Sequence, residues 1–359
     1  MNNRIANVVE AIKNNDQPID GLLVVRNERI DCGNARYISG FSGSTAVIVI
    51  SPERQVILVD LRYTEQAEEE CPDFEVLNLH EVRLDTLVKE MGIKRLGYEP
   101  SEMTVNMFER YKSTLSDIEL VPTRGIIQHL RAFKDEKEIE IIARACKYAD
   151  EAFSHYLTCI KPGITEKKLA FELEMAMRRA GADRLGFDLI LVSGKRSSHQ
   201  HGAPTDKVLE VGDFVTLDFG AETEGYRCDI TRTIVVGEAS EKQREIYEAV
   251  RLAQQTALDM CLPGAQGPDI AAAARKILVD SGYGEWGTHG IGHGVGLEIH
   301  EAPGIGARNE IELKPGHVFT VEPGIYIPDF GGVRIEDTVA ITEDGQIVLS
   351  KSPKELLIL

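Results

Sequence analysis

The sequence predicts a two-domain protein, with an α/β domain over residues 1–124 and an α+β domain over residues 125–359. Three observations predict it. The chain has 359 residues, which is long for one core. Its first third alternates strand-like and helix-like segments, the pattern of an α/β layer. After residue 124, two long amphipathic helix patterns are followed by grouped strand patterns, as in an α+β domain.

In the first domain, "GLLVV" (21–25), "STAVIVI" (44–50) and "QVILVD" (55–60) are β-branched runs bounded by turn residues, and each reads as a strand. "EVRLDTLVKEMG" (81–92) places Val82, Leu84, Leu87, Val88 and Met91 at helical spacing, with Gly92 as the stop. In the second domain, residues 131–157 form a long helical pattern through Ile139, Ile142, Ala145, Ala149 and Phe153. Residues 165–182 form another, capped by Thr165. Strands follow at 189–193, 213–220, 226–236, 317–322 and 332–343, with helices at 241–260 and 266–281 between them.

A formal net charge of −18 disfavours nucleic acid as a partner, because that affinity rests on Lys and Arg neutralising phosphates. Part of the negative excess has a second reading, as carboxylates gathered around metal. The longest apolar run, "AVIVI" at 46–50, is too short to span a bilayer. The polar first twenty residues show no apolar signal segment, so a cytoplasmic location is expected. Cys32, Cys71, Cys146, Cys159, Cys228 and Cys261 form no CxxC pair and read as reduced thiols.

The chemistry-bearing stretches lie in the second domain. "FVTLDFGAETEGYRCDITRTIVV" (214–236) reads as a hairpin. A turn centred on Thr223 and Glu224 places Asp218 opposite Asp229. Like charges that close destabilise a sheet, and paired metal ions turn the repulsion into coordination. The alternative is that one or both aspartates sit at a solvated rim. Cys228 is expected to point to the opposite face, into the core. Further on, Glu322 ends the apolar run "HVFTV", and Glu336 lies in "GGVRIEDT" on the face of Arg334 and Thr338. A buried glutamate needs a partner. Arg334 is one candidate, and Asp337 remains an alternative functional acid.

"THGIGHGVGLEIHE" (288–301) holds His289, His293 and His300. Histidines four apart can chelate one metal on a helix. The glycines at 290, 292, 294 and 296 oppose a helix, each costing about 1 kcal/mol against alanine. In an extended chain, residues 289 and 293 lie about 13 Å apart. One metal ligand is therefore expected among them, with separate work for the others.

Taken in order, Asp218, Asp229, His293, Glu322 and Glu336, each within its local motif, closely resemble the ligand set of the pita-bread metallopeptidases. The narrower resemblance is to the Xaa-Pro dipeptidase (prolidase) and aminopeptidase P group of family M24. "NARYISGFSGS" (34–44) is similar to that group's creatinase-like N-terminal domain. The resemblance implies a pita-bread catalytic domain holding two divalent metal ions per chain. Asp229 and Glu336 would bridge them, Asp218 would complete one shell, and His293 with Glu322 the other. Four carboxylates and an imidazole suit manganese or cobalt, with zinc or iron as alternatives. The implied reaction is hydrolysis of the N-terminal Xaa-Pro bond in dipeptides or short peptides. A water between the metals is the nucleophile and Glu322 the proton shuttle.

His201 matches a further histidine of the group and is a candidate catalytic residue, His289 and His300 match its substrate-facing histidines, and Arg334 matches an arginine that orients a carboxylate. Gln200 stands where the group usually has proline. Phe187 is a candidate wall for the proline ring, with core packing as its alternative. His199 receives no role. A homodimer is a further implication. The dipeptidase reading is favoured over aminopeptidase P. A methionine aminopeptidase, which shares the catalytic fold, is opposed by the extra N-terminal domain and by "HEAP" and "GGVRIEDT". A non-catalytic binding module on this fold is opposed by the complete ligand set.

Overall fold

The computed structural model describes residues 3–28 and 33–359, so Cys32 lies outside the described residues. The chain divides into two compact units, Met1–Arg131 and Ala132–Leu359. The division falls seven residues beyond residue 124, because Ile126–Arg131 forms a short helix belonging to the first unit.

The first unit is built on a six-stranded sheet. Its order is Glu75–Asn78, Gln55–Val59, Ala46–Ile50, Gly21–Arg26, Arg95–Tyr98 and Glu119–Pro122. The middle strands pair antiparallel and the outer pairs are parallel. Leu23, Val25, Val47, Val49, Val56 and Leu58 bury one face against the helix Leu84–Glu90. Gly92, at φ 72°, lets the chain turn back after that helix, the backbone state glycine adopts without penalty.

In the second unit, the long helix begins at Glu136 rather than near residue 131. Asp135 accepts from the Glu138 backbone and the Glu138 side chain returns the bond, a capping box that fixes the start. Thr165 caps Glu166–Ala180 as expected. The helices Glu241–Met260 and Gly267–Asp280 lay Ile246, Val250, Ala253, Ile270, Ala274 and Leu278 against Phe319, Val321, Val339 and Ile341. Full burial of each large aliphatic side chain contributes about 1.5–3 kcal/mol.

Those last four residues belong to a five-stranded sheet ordered Glu301–Gly306, Gly290–Gly294, Val318–Val321, Asp337–Thr342 and Gly345–Val348. A three-stranded sheet holds Ile230–Val235, Phe214–Phe219 and Ile190–Ser193. The pattern over 332–343 does not form one strand. Gly331–Arg334 pairs with Gly324–Ile327, whereas Asp337–Thr342 joins the larger sheet. Glu336 sits at the break, bonded from its backbone N–H to the Thr231 carbonyl at 3.1 Å. No helix among the described residues is long and apolar enough to cross a membrane.

Candidate metal centre

The hairpin carrying both aspartates turns at Glu224 and Gly225, with φ of 51° and 82°. Positive φ at both central residues is the type I′ geometry that matches strand twist, and glycine favours the second position. The turn is one residue later than the sequence reading placed it. The register follows, so Asp218 faces Thr231 and not Asp229. The shift moves Asp229 to a diagonal position, two residues before Thr231 and on the same face. Diagonal neighbours remain within reach of each other. Asp229 is anchored by Thr338, whose Oγ1 donates to its carbonyl at 2.8 Å and accepts from its N–H at 3.2 Å.

His293 lies in the strand Gly290–Gly294, as the glycines' opposition to a helix requires. They also admit close backbone contact: a Cβ at Gly292 would fall 1.9 Å from the Thr320 carbonyl oxygen, and one at Gly294 2.3 Å from that of Ala302. The His293 backbone N–H donates to Thr320 Oγ1 at 3.1 Å. Its Nε2 stands 3.5 Å from Asp229 Oδ2 and 3.3 Å from Glu322 Oε1. Glu322 accepts from Thr320 Oγ1 at 3.1 Å. Asp229, His293 and Glu336 each present one ligating atom, all within 4.8 Å of one another.

The carboxylates are buried with spare acceptor capacity. Oδ1 of Asp218, Oδ1 of Asp229 and Oε1 of Glu336 are enclosed without a hydrogen-bond partner. Burial first, and neighbouring carboxylates second, push the Asp229 and Glu336 carboxyls well above their ordinary range. Orphaned buried acceptors are costly, and a divalent cation answers them. The oxygen-rich donor set therefore fits the expected metal ions.

Arg334 braces this cluster. It donates to Asp218 Oδ2 at 2.5 Å, to Thr231 Oγ1 at 2.9 Å and to the Tyr326 hydroxyl at 2.7 Å. Thr231 in turn donates to Glu336 Oε2 at 2.5 Å. The direct side-chain partner of Glu336 is therefore Thr231, with Arg334 acting one step behind. Asp337 faces away. It accepts from Arg232 at 2.7 Å, Gln254 at 2.7 Å and Ser350 at 2.7 Å, with Lys354 at 3.0 Å. Those cations hold its carboxyl down to about 2 against the opposing effect of burial. It is a member of a buried ion-pair group, and of the two adjacent acids Glu336 is the one that lines the cavity.

The five expected ligands line one cavity of about 540 Å³ together with Phe187, Ile190, His201, His300, Tyr326 and Arg334. The His300 ring packs at a tilt against that of His293, with centroids 4.2 Å apart and planes at 54°. Burial, then His293 and His201, lower its pKa, favouring neutral imidazole. Phe187 lies over Gly220, where a Cβ would come 2.9 Å from its ring. His289 is exposed and is not among the lining residues, although Thr288 and Gly290 are.

Thr231 and Tyr326 escaped the sequence reading. Thr231 was hidden by the one-residue turn error. Tyr326 does carry a sequence signal, since it lies in a short apolar strand just after Glu322. Cys71, Cys146, Cys159, Cys228 and Cys261 are free thiols, and Cys228 is buried, with its sulfur accepting from the Ala221 N–H.

Comparison with known proteins bears on the fold and the family. Residues 140–343 match the metallopeptidase family M24, and residues 4–133 match the creatinase/prolidase N-terminal domain. The Xaa-Pro dipeptidase of Pyrococcus horikoshii is 40% identical over 360 residues, covering 99% of each chain. A solved Xaa-Pro dipeptidase from Bacillus anthracis superposes with a TM-score of 0.94 at 43% identity, covering 99% of each chain. An X-Pro aminopeptidase from Thermotoga maritima gives 0.89 at 38% identity, covering 95% of this chain and 98% of that one. The chain belongs to metallopeptidase family M24, with a creatinase/prolidase-type N-terminal domain ahead of a pita-bread catalytic domain.

Proposed function

We propose that this protein is a dinuclear metallo-exopeptidase that hydrolyses the Xaa-Pro bond of dipeptides. The observation that carries the reading is the convergence of three unpartnered buried carboxylate oxygens, from Asp218, Asp229 and Glu336, with the imidazole of His293. The likeness to Xaa-Pro dipeptidases supports the dipeptidase assignment over aminopeptidase P.

Asp218, Asp229, His293, Glu322 and Glu336 would hold the metals. Manganese or cobalt matches the donor set best. When bound, the metals supply Lewis acidity to the attacking water and to the scissile carbonyl. Glu322 takes the water's proton and delivers it to the proline nitrogen, which, as part of a tertiary amide, begins with no hydrogen. His300 and His201, at the cavity wall, donate to the carbonyl oxygen as negative charge develops there. A neutral His300 keeps one N–H for this purpose. His289 would approach the substrate from outside the described lining. Phe187 offers the apolar wall for the proline ring. Arg334 holds Asp218 in its ligating orientation.

A cytoplasmic location and a homodimer complete the proposal. The free thiols support a reducing compartment. The test is metal analysis together with hydrolysis of Gly-Pro and of Met-Ala-Ser. Two divalent ions per chain and cleavage of Gly-Pro alone are expected. Absence of both metal and hydrolysis, or cleavage of Met-Ala-Ser in preference, overturns the reading.

A further inference from the structure

We propose that Lys134 is a positioning residue for His300, acting through a buried ion pair with Glu301. Lys134 Nζ stands 2.7 Å from Glu301 Oε1, an ion pair by distance whose angles make no hydrogen bond, and the two side chains are 1% and 7% exposed. A buried pair of this kind costs desolvation on both partners and gains stability only in good geometry, so its retention points to a conformational role. The surroundings show what it fixes. Glu301 directly follows His300, and its second oxygen accepts from the Glu298 N–H at 3.3 Å. Glu298 accepts at its carbonyl from Gly296 at 3.1 Å, and the Gly296 carbonyl accepts from Arg227, two residues before Asp229, at 2.8 Å. The stretch 296–301 is therefore strung between the aspartate hairpin and Lys134.

The last glycine of the motif belongs to the same arrangement. A Cβ at Gly296 would fall 2.4 Å from Glu301 Oε1 and 3.0 Å from Lys134 Cε, so the ion pair occupies the space a side chain would need. Lys134 is itself fixed, its backbone N–H donating to the Gly316 carbonyl at 2.8 Å just before the capped start of the long helix. His300 packs against His293 yet keeps much of its surface open, so its neighbours in the chain must supply the order that partial burial alone does not.

The inference rests on the proposed role of His300 and is tested separately from it. Lys134→Met is expected to lower kcat on an Xaa-Pro dipeptide about 10- to 100-fold, the scale for misplacing a working group by about an ångström, with metal stoichiometry unchanged. In a His300→Ala background the same substitution is expected to have almost no effect on kcat, because groups acting as a unit are not additive. Equal losses in both backgrounds overturn the inference. Lys134→Met/Glu301→Met removes both charges and controls for the misfolding that one unpaired buried charge invites. It should fold and still show the kcat loss; wild-type kcat in that variant also overturns the inference. Hydrogen exchange gives a readout independent of turnover. Lys134→Met should accelerate exchange over residues 296–301 and leave the strand Phe214–Phe219 unchanged, and unaltered exchange over 296–301 contradicts the brace. If the wild-type enzyme cleaves no Xaa-Pro substrate, the functional reading fails while the exchange result still decides the brace.

Discussion

Arg334 donates from Nη2 to Oδ2 of Asp218 at 2.5 Å, which ties the cavity's guanidinium to one carboxylate of the cluster. Removing that partner leaves a buried negative charge without compensation. Arg334→Met is expected to destabilise the metal-free protein by about 3–5 kcal/mol, measured by urea denaturation. Metal should restore part of this, because it neutralises the same carboxylates. An unchanged denaturation midpoint would show that the pair is energetically idle.

The cluster also sets a pH dependence with a definite sign. Asp229 and Glu336 have folded-state pKa values raised above 3.8 and 4.5. The folded apoprotein therefore holds protons that the unfolded chain has released. Their stabilising contribution is complete below those ordinary values and is lost as pH rises toward the raised ones. Metal displaces the same protons, so its stabilisation grows with pH. The gap in Tm between manganese-loaded and chelator-treated protein should be wider at about pH 8 than at about pH 5. Asp337 has the opposite sign. Its pKa, lowered from 3.8 to about 2, gives stability that is present above the ordinary value and lost as pH falls toward 2.

The three histidines of residues 288–301 should separate cleanly. His293→Ala is expected to lose metal, because Nε2 faces both Asp229 and Glu322. His300→Ala should keep metal and lose about 100- to 1,000-fold in kcat, the usual cost of removing one donor to a developing oxyanion. His289→Ala should also keep metal and lose turnover. Metal analysis of the purified variants alongside kcat gives the answer, and loss of metal from all three would refute this division.

Thr231 offers a finer test. Its hydroxyl accepts from Arg334 and donates to Glu336 at 2.5 Å. Thr231→Val keeps the shape and removes both bonds, and should weaken metal affinity about 10- to 100-fold. Thr231→Ser should retain most of the affinity. Calorimetric titration of the apoprotein distinguishes the two, and equal affinities in both variants would remove Thr231 from the account.

Much of this was legible in the sequence, for identifiable physical reasons. The helices 241–260 and 266–281 were placed almost to the residue, because a long apolar period is a robust signal. The glycines around His293 excluded a helical chelate correctly, since their cost is local. Register was not legible to the same precision. A one-residue error at Glu224 and Gly225 misassigned the partner of Asp218, although both aspartates stayed on one face because the error preserved side-chain parity. The break at Ile335–Glu336 was hidden because both flanking segments continue the same alternation. Lys134 and Glu301 meet across 167 positions, and no local pattern announces such a pair.

The central claim is that the carboxylate–histidine cluster of this chain loads two metals to cut Xaa-Pro dipeptides. The most direct measurement compares kcat/KM for an Xaa-Pro dipeptide and the matching Xaa-Pro-Yaa tripeptide, with manganese or cobalt added and again after chelation. The account predicts faster cleavage of the dipeptide and no cleavage of either substrate once metal is removed. A strong preference for the tripeptide, or turnover that survives complete removal of metal, would contradict it.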